Sequence, residues 1–213
     1  MKYIFILFIV SFFWTQNANA FCQSVDTQVV LEAETATVEY RTDRSRHEFL
    51  KEYGGKVSPN TLGLTVVQLG ASSVADPFLE QKGERACVGV RKISVKIGYD
   101  KLRVYIDKKY RPKSCEYRVV KDHENYHVRV AKEAVYFFRS DIEKALRKAV
   151  RRVKPIIVRS QAEVQPAFER QVRQIMSDVQ PFIDHMNKKI AEKNYQIDTP
   201  ESYRKTTALC KNW

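Results

Sequence analysis

Glycine is scarce in this 213-residue chain and is unevenly placed. All seven glycines lie at or before Gly98, so the last 115 residues contain none. Beyond the N-terminal stretch no apolar run is long enough to cross a bilayer, which excludes a polytopic membrane protein. Hydrophobic residues make up 44% and charged residues 29% of the chain, which excludes collagen-like, low-complexity and disordered classes. We therefore expect a globular protein with a sizeable core.

Residues 1–20 have the pattern of a cleaved secretory signal. Lys2 provides the positive start, residues 3–14 are almost wholly apolar, and Ala18-Asn19-Ala20 supplies the small residues that a signal peptidase requires. We predict a mature chain that starts near Phe21 and forms a single domain over residues 21–213. We expect this domain to be periplasmic or secreted and not membrane-spanning.

The four cysteines are an even set, as expected in an oxidising compartment. Cys87 and Cys115 flank what resembles one hairpin with its turn near Asp100, so we predict that they form a disulfide bond. Cys22 and Cys210 would then join the two ends of the chain. Free buried thiols are the alternative, while the spacing argues against a four-cysteine zinc site.

The first part of the domain, residues 21–115, has the pattern of a sheet. Its short alternating runs cover residues 28–40, 62–69, 87–99 and 102–106, with a break at Asp76-Pro77 and a short helix at 45–53. Apolar positions in the third run alternate with Lys, Ser or Gly and predict a strand with one solvated face; they are Ile93, Val95, Ile97 and Tyr99. We expect an antiparallel sheet.

The second part, residues 116–213, has the 3.6-residue periodicity of helices. The first stripe covers residues 117–153 and ends before Pro155, and it consists of Val120, Ala131, Ala134, Phe138, Ile142, Ala145 and Ala149. A capping box at residues 160–163 opens a second helix, which Pro181 should kink or break. Its stripe consists of Phe168, Val172, Ile175, Val179, Phe182, Met186 and Ile190. The predicted fold is α+β, a small antiparallel sheet followed by a long helical hairpin.

Residues 123–127 read His-Glu-Asn-Tyr-His and match the HExxH pattern. Residues four apart on a helix lie one above the other, so His123 and His127 can share one metal ion. Zinc (Zn2+) is the expected cofactor, and Glu124 can serve as general base toward the water that the metal activates. The alternative is a pair of hydrogen-bonded histidines without a metal.

A third protein ligand is expected, and the sequence offers several. The extended pattern HExxHxxGxxH would require a glycine and a histidine where this chain has Val130 and Glu133. If the helical hairpin is centred near Ile156, His185 lies level with His127, and we predict it as the third ligand. The alternatives left open by an uncertain register are Asp178, Asp184, Glu192 and His47.

The motif in an exported chain, with strands before it and a helical pair after it, resembles the zincin metallopeptidases. It is similar more narrowly to a family of small bacterial secreted proteins regarded as zinc-dependent proteases, in which a cysteine, here Cys115, shortly precedes the motif. This resemblance implies that His123 and His127 bind zinc and that Glu124 is the general base. It also implies a protein or peptide substrate. The charged neighbours Lys121, Asp122 and Arg129 depart from the zincin pattern, so an inactive relative is the alternative.

The 37 basic residues against 25 acidic ones give a formal net charge of +12. Seven of the basic residues surround the predicted turn between the helices: Lys144, Arg147, Lys148, Arg151, Arg152, Lys154 and Arg159. The expected partner of this basic cluster is an anionic envelope surface or an acidic protein, and the alternative is a solvated helix end without a partner. Export argues against nucleic acid. The predicted function is a periplasmic or secreted zinc metallohydrolase, a peptidase. The alternative is a non-catalytic basic envelope-binding protein whose metal site is vestigial or structural.

Overall fold

The computed structural model describes residues 21–53, 61–211 and 213. Over these ranges the protein is a mixed α/β structure with a sheet of five strands and with four helices. In chain order the elements are β1 (Gln28–Thr35), β2 (Val38–Arg41), α1 (Arg46–Tyr53), β3 (Gly63–Lys82), β4 (Arg85–Ile106), α2 (Cys115–Arg152), β5 (Ile156–Val158), α3 (Gln161–Ile197) and α4 (Pro200–Thr207). The predicted signal peptide, residues 1–20, lies outside the described residues.

The sheet is mixed, so the prediction of an antiparallel sheet is wrong. β3 and β5 run antiparallel to β4, but β1 and β2 run parallel to it. β1 and β2 follow each other along one side of β4, and the chain then crosses to the other side before β3 returns in the opposite direction. Alternation of apolar and polar residues indicates which face of a strand is buried, but it carries no information about strand direction.

The sequence suggested a turn near Asp100 and a break at Asp76-Pro77, but both positions are irregularities within long strands. The hairpin between β3 and β4 turns at Gly83, whose φ of +62° is in the left-handed region that favours glycine. The register shifts between Gln68 and Leu69, opposite Asp100, and again between Asp76 and Pro77. β4 therefore continues through Asp100 with one extra residue, as in a β-bulge, and the predicted turn there is wrong.

The core lies between one face of β4 and the two long helices. The alternation predicted for β4 is confirmed, because Ile93, Val95, Ile97 and Tyr99 are all buried. The apolar stripes of α2 and α3 pack against this face. One residue of the second stripe departs from the prediction: Phe182 is 43% exposed, and the neighbouring Ile183 is buried in its place.

Both long helices occur close to their predicted bounds. The hydroxyl of Ser114 caps α2 by accepting a hydrogen bond from the backbone N–H of Tyr117 at 3.1 Å. α3 runs through Pro181 without a break. Pro181 and Ser177, four residues earlier, are both exposed, so water can solvate the carbonyl that loses its helical partner.

The disulfide bonds join Cys22 to Cys87 and Cys115 to Cys210. Two disulfides were expected, but the predicted Cys87–Cys115 and Cys22–Cys210 pairing is wrong. The reason is the length of β4, since the strand from Cys87 to Ile106 extends about 60 Å at about 3.3 Å per residue. Cys115 follows the far end of that strand, whereas a disulfide requires Cα atoms within about 7 Å.

Among the described residues, none of the helices combines the length and apolar character needed to cross a bilayer. The two longest, α2 and α3, are amphipathic, with charged residues along their exposed faces.

Peptide mapping of the unreduced mature chain tests the disulfide connectivity. We expect disulfide-linked peptides that contain Cys22 with Cys87 and Cys115 with Cys210. Because the second bond spans 95 residues, the double variant Cys115→Ser/Cys210→Ser should lose about 2–5 kcal/mol of unfolding free energy, measured by urea denaturation. A peptide that joins Cys87 to Cys115 would contradict this connectivity.

Candidate metal centre

Helix α2 places His123 and His127 one turn apart on its inner face. Their Nε2 atoms lie 3.4 Å from each other, and each side chain is only 8% exposed. Two imidazole nitrogens that lie so close together below the surface each need a hydrogen-bond partner or a metal ion. The structure thus brings the two predicted histidine ligands together.

The partner of both histidines is Asp198, the residue that ends α3. Its Oδ1 atom lies 3.1 Å from the Nε2 atom of each histidine. The three atoms form a triangle with sides of 3.1, 3.1 and 3.4 Å. Ligand atoms of a tetrahedral zinc site lie about 3.3 Å apart when each is about 2.0–2.1 Å from the ion. The donor set and its spacing therefore fit a divalent metal ion with a fourth position left for water or substrate.

Neighbouring side chains fix the orientation of these three groups. Asn194 lies one turn before Asp198 on α3, and its Oδ1 atom is 3.1 Å from His127 Nδ1. With Nδ1 donating to Asn194, a metal ion can replace the proton that Nε2 donates to Asp198, which gives the tautomer that metal binding requires. The Tyr203 hydroxyl, from α4, donates to Asp198 Oδ1 at 2.9 Å, and its ring lies 5.3 Å from the ring of His123.

The electrostatics of the group favour a bound cation. Burial alone would raise the pKa of Asp198, but hydrogen bonds from His123 and His127 hold that pKa well below its usual range. Burial would lower the pKa of His127, yet the hydrogen bond to Asp198 and the charge of Glu124 raise it overall. Burial and the negative charge of Asp198 raise the pKa of Tyr203, so its hydroxyl stays protonated and remains a donor.

Glu124 is buried between α2 and the first residues of β3. The Thr65 hydroxyl lies 2.7 Å from its Oε2 atom and 3.2 Å from its backbone carbonyl oxygen. Gly63 leaves room for the carboxylate, because a methyl group at position 63 would lie 2.8 Å from Oε1. Burial raises the pKa of Glu124, and the nearby His127 and His123 oppose that shift only in part.

One small cavity connects these groups. It has a volume of about 120 Å³, and its walls include Gly63, Thr65, Glu124, His127, Asp198 and Tyr203. A carboxyl group of raised pKa and a histidine–aspartate group therefore face the same space. Strand β3 forms one wall, and within the described residues it pairs only with β4, so its other edge is unpaired there.

The structure does not bring His185, the predicted third ligand, to this group. Its ring packs 5.6 Å from the ring of Phe138, in a different groove of the hairpin. Because His127 faces Asn194 and Phe138 faces His185, the hairpin is centred near Gln161 and not near Ile156. The predicted register is wrong by about nine residues, which is two and a half turns.

The alternative ligands also lie elsewhere. Asp178 pairs with Arg152 at 3.7 Å, Asp184 accepts a hydrogen bond from Gln180 at 2.8 Å, and Glu192 pairs with Lys189 at 2.8 Å. His47 is an exposed residue of α1.

Sequence reasoning missed Asp198, which lies where helical periodicity ends. The signal available was the segment Thr199-Pro200, which opens α4 with a capping side chain and a proline in the first turn. The Thr199 hydroxyl accepts from the backbone N–H of Ser202 at 3.1 Å. This cap indicates that one helix ends just before it, and a carboxylate at such a junction can turn toward a neighbouring helix.

The basic cluster around the hairpin turn is partly neutralised. Arg147 pairs with Glu143, Arg152 with Asp178, and Lys144 with Asp141. The remaining members have no ion pair within the described ranges: Lys148, Arg151, Lys154 and Arg159. Three of the seven basic residues that were predicted to meet an anionic surface are thus paired with acidic residues of the two helices.

Comparison of the chain with protein-family models, with curated proteins and with solved structures gave no match.

Zinc titration of ligand variants tests the assignment of Asp198. We expect Asp198→Ala to weaken zinc binding more than about 100-fold, because even outer partners of a metal site contribute 10- to 100-fold. His185→Ala and Asp184→Ala serve as matched controls and should bind zinc like the unsubstituted chain. Loss of zinc in His185→Ala with retention in Asp198→Ala would contradict the assignment.

Thr65→Val tests how Glu124 is held. The substitution keeps the shape of the side chain but removes the donor to a buried carboxylate, so we expect a loss of about 1–3 kcal/mol in unfolding free energy. Urea denaturation measures it. Thr37→Val, the same change at an exposed position, should alter stability by less than about 0.5 kcal/mol. Equal effects of the two substitutions would show that the Thr65 hydroxyl does not stabilise Glu124.

Proposed function

We propose that this protein is an exported zinc-dependent peptidase of the zincin type, with His123, His127 and Asp198 as zinc ligands and Glu124 as general base. The observation that carries the proposal is the convergence of two Nε2 atoms and one carboxylate oxygen at metal-ligand spacing, beside a buried glutamate in the same cavity. The donor set of two histidines and one carboxylate is one that catalytic zinc sites use.

The protein residues have separate tasks in this proposal. Zinc held in such a site supplies Lewis acidity, which makes water a nucleophile near neutral pH. Thr65 fixes Oε2 of Glu124, while Oε1 has no hydrogen bond to another described residue and can accept a proton. The raised pKa of Glu124 suits a group that takes a proton from water and returns it to a leaving amine. Asn194 and Tyr203 hold His127 and Asp198 in place.

A peptide substrate is supported by the strand beside the cavity. The first residues of β3 line the cavity together with Glu124 and His127. An extended peptide can add to an unpaired strand edge through backbone hydrogen bonds, which bind it largely independently of its sequence. This arrangement would place a peptide bond next to the proposed metal centre.

Export is supported by two independent features. Residues 1–20 have the signal pattern, and both disulfide bonds are of the kind that persists in the periplasm or outside the cell. We therefore propose a periplasmic or secreted location.

A non-catalytic protein with a structural metal site is the second candidate. The observation that favours it is the set of hydrogen bonds that Asp198 makes with His123, His127 and Tyr203. These bonds connect α2 with the end of α3 and with α4, so a metal ion at this point would act as a cross-link between helices.

Glu124→Gln separates the two candidates. We expect this variant to keep near-stoichiometric zinc, measured by mass spectrometry, and to lose at least about 100-fold in the rate of hydrolysis of fluorescein-labelled casein, because the general base is gone. Glu133→Gln, the same change at an exposed position of α2, should retain full activity. Unchanged hydrolysis in Glu124→Gln would refute its role as base. Zinc binding without hydrolysis in the unsubstituted chain would favour the structural site.

A further inference from the structure

The helical hairpin carries a second concave surface, which the proposed function does not use. It consists of two adjoining cavities of about 650 and 230 Å³ between α2 and α3, which share Phe137, Phe138 and Lys189. We call it the aromatic groove. Phe137 lies ten residues beyond His127, about 15 Å farther along α2. The aromatic groove is therefore separate from the proposed metal centre.

The floor of the aromatic groove is apolar although it faces solvent. Phe137 is 76% exposed, and Phe182 on the opposite helix is 43% exposed. Phe137 packs edge-on against Phe138 at 5.1 Å, and Phe138 packs against His185 at 5.6 Å. Exposed rings gathered in one concavity are unusual on a soluble surface and are typical of a ligand site.

The rim of the groove is basic. Its lysines are Lys144, Lys148, Lys189 and Lys193, whereas its acidic residues are Glu133 and Asp141. Asp141 pairs with Lys144 at 3.5 Å, and Glu192, just outside the rim, pairs with Lys189 at 2.8 Å. Lys148 and Lys193 have no ion pair in the part of the chain that the structure describes. An apolar floor under uncompensated cations is complementary to an apolar chain that ends in an anion.

We propose that the aromatic groove binds a single-chain anionic amphiphile, with its alkyl chain on Phe137, Phe138 and Phe182 and its anionic head near Lys148. The larger cavity lies within the 300–1,000 Å³ range of small-molecule sites. Its concave shape fits one alkyl chain. The site does not depend on the proposed peptidase activity.

Calorimetric titration of the mature chain with laurate below its micelle concentration tests this proposal. We expect saturable one-to-one binding that persists in EDTA. Dodecyltrimethylammonium has an alkyl chain and the opposite charge. It should bind at least about tenfold more weakly, because the same lysines repel its positive head group. Phe137→Ser and Lys148→Glu should each weaken laurate binding at least about tenfold, since they remove the chain contact and the cation.

Two matched variants outside the groove serve as controls. Tyr195 is an exposed aromatic residue of α3, and Lys188 is an exposed lysine of α3 that lines neither cavity. Tyr195→Ser and Lys188→Glu should leave laurate binding unchanged. The proposal is overturned if the groove variants and the controls behave alike, or if both amphiphiles bind equally. It is also overturned if the chain binds phosphatidylglycerol vesicles but not laurate, because a bilayer surface would then be the partner.

Discussion

The organisation of the sheet depends on strand β4, because each of the other strands in the described ranges pairs with it. Its 22 residues run from beside β5 at one end to Ile106 at the other, where it pairs with Gly63. The helices cover its apolar face, and the candidate metal centre lies where β3 begins beside that far end. Because the apolar face of β4 is buried, the elements that pack on it have little freedom to change their position.

The candidate metal centre depends on how the helical hairpin is held against this strand. β5 pairs with residues 86–88 at the start of β4, which fixes where α2 ends and α3 begins. Once that position is set, His127 lies opposite Asn194, and Asp198 follows one turn later. The pairing of this three-residue strand is thus one of the constraints on which carboxylate reaches the histidines, although β5 contributes no side chain to the site.

Periodicity was sufficient to predict the two long helices, the buried face of β4 and the pairing of His123 with His127, because each depends on residues close in sequence. It could not predict strand direction, the disulfide partners or Asp198. Those depend on chain segments that meet only after folding. The failure at Asp100 has the same origin: a polar residue between two apolar runs is compatible with a turn or with a bulge, and the opposing strand decides between them.

The disulfide between Cys115 and Cys210 has a consequence for the proposed function of cleaving peptide bonds. His123, Glu124, His127, Asn194, Asp198 and Tyr203 all lie between these two cysteines in sequence. The bond therefore closes a covalent ring that contains these six residues. A single cut in the polypeptide anywhere within that ring, whether by another protease or by a second copy of this chain, would open the ring without separating any of these residues from the others.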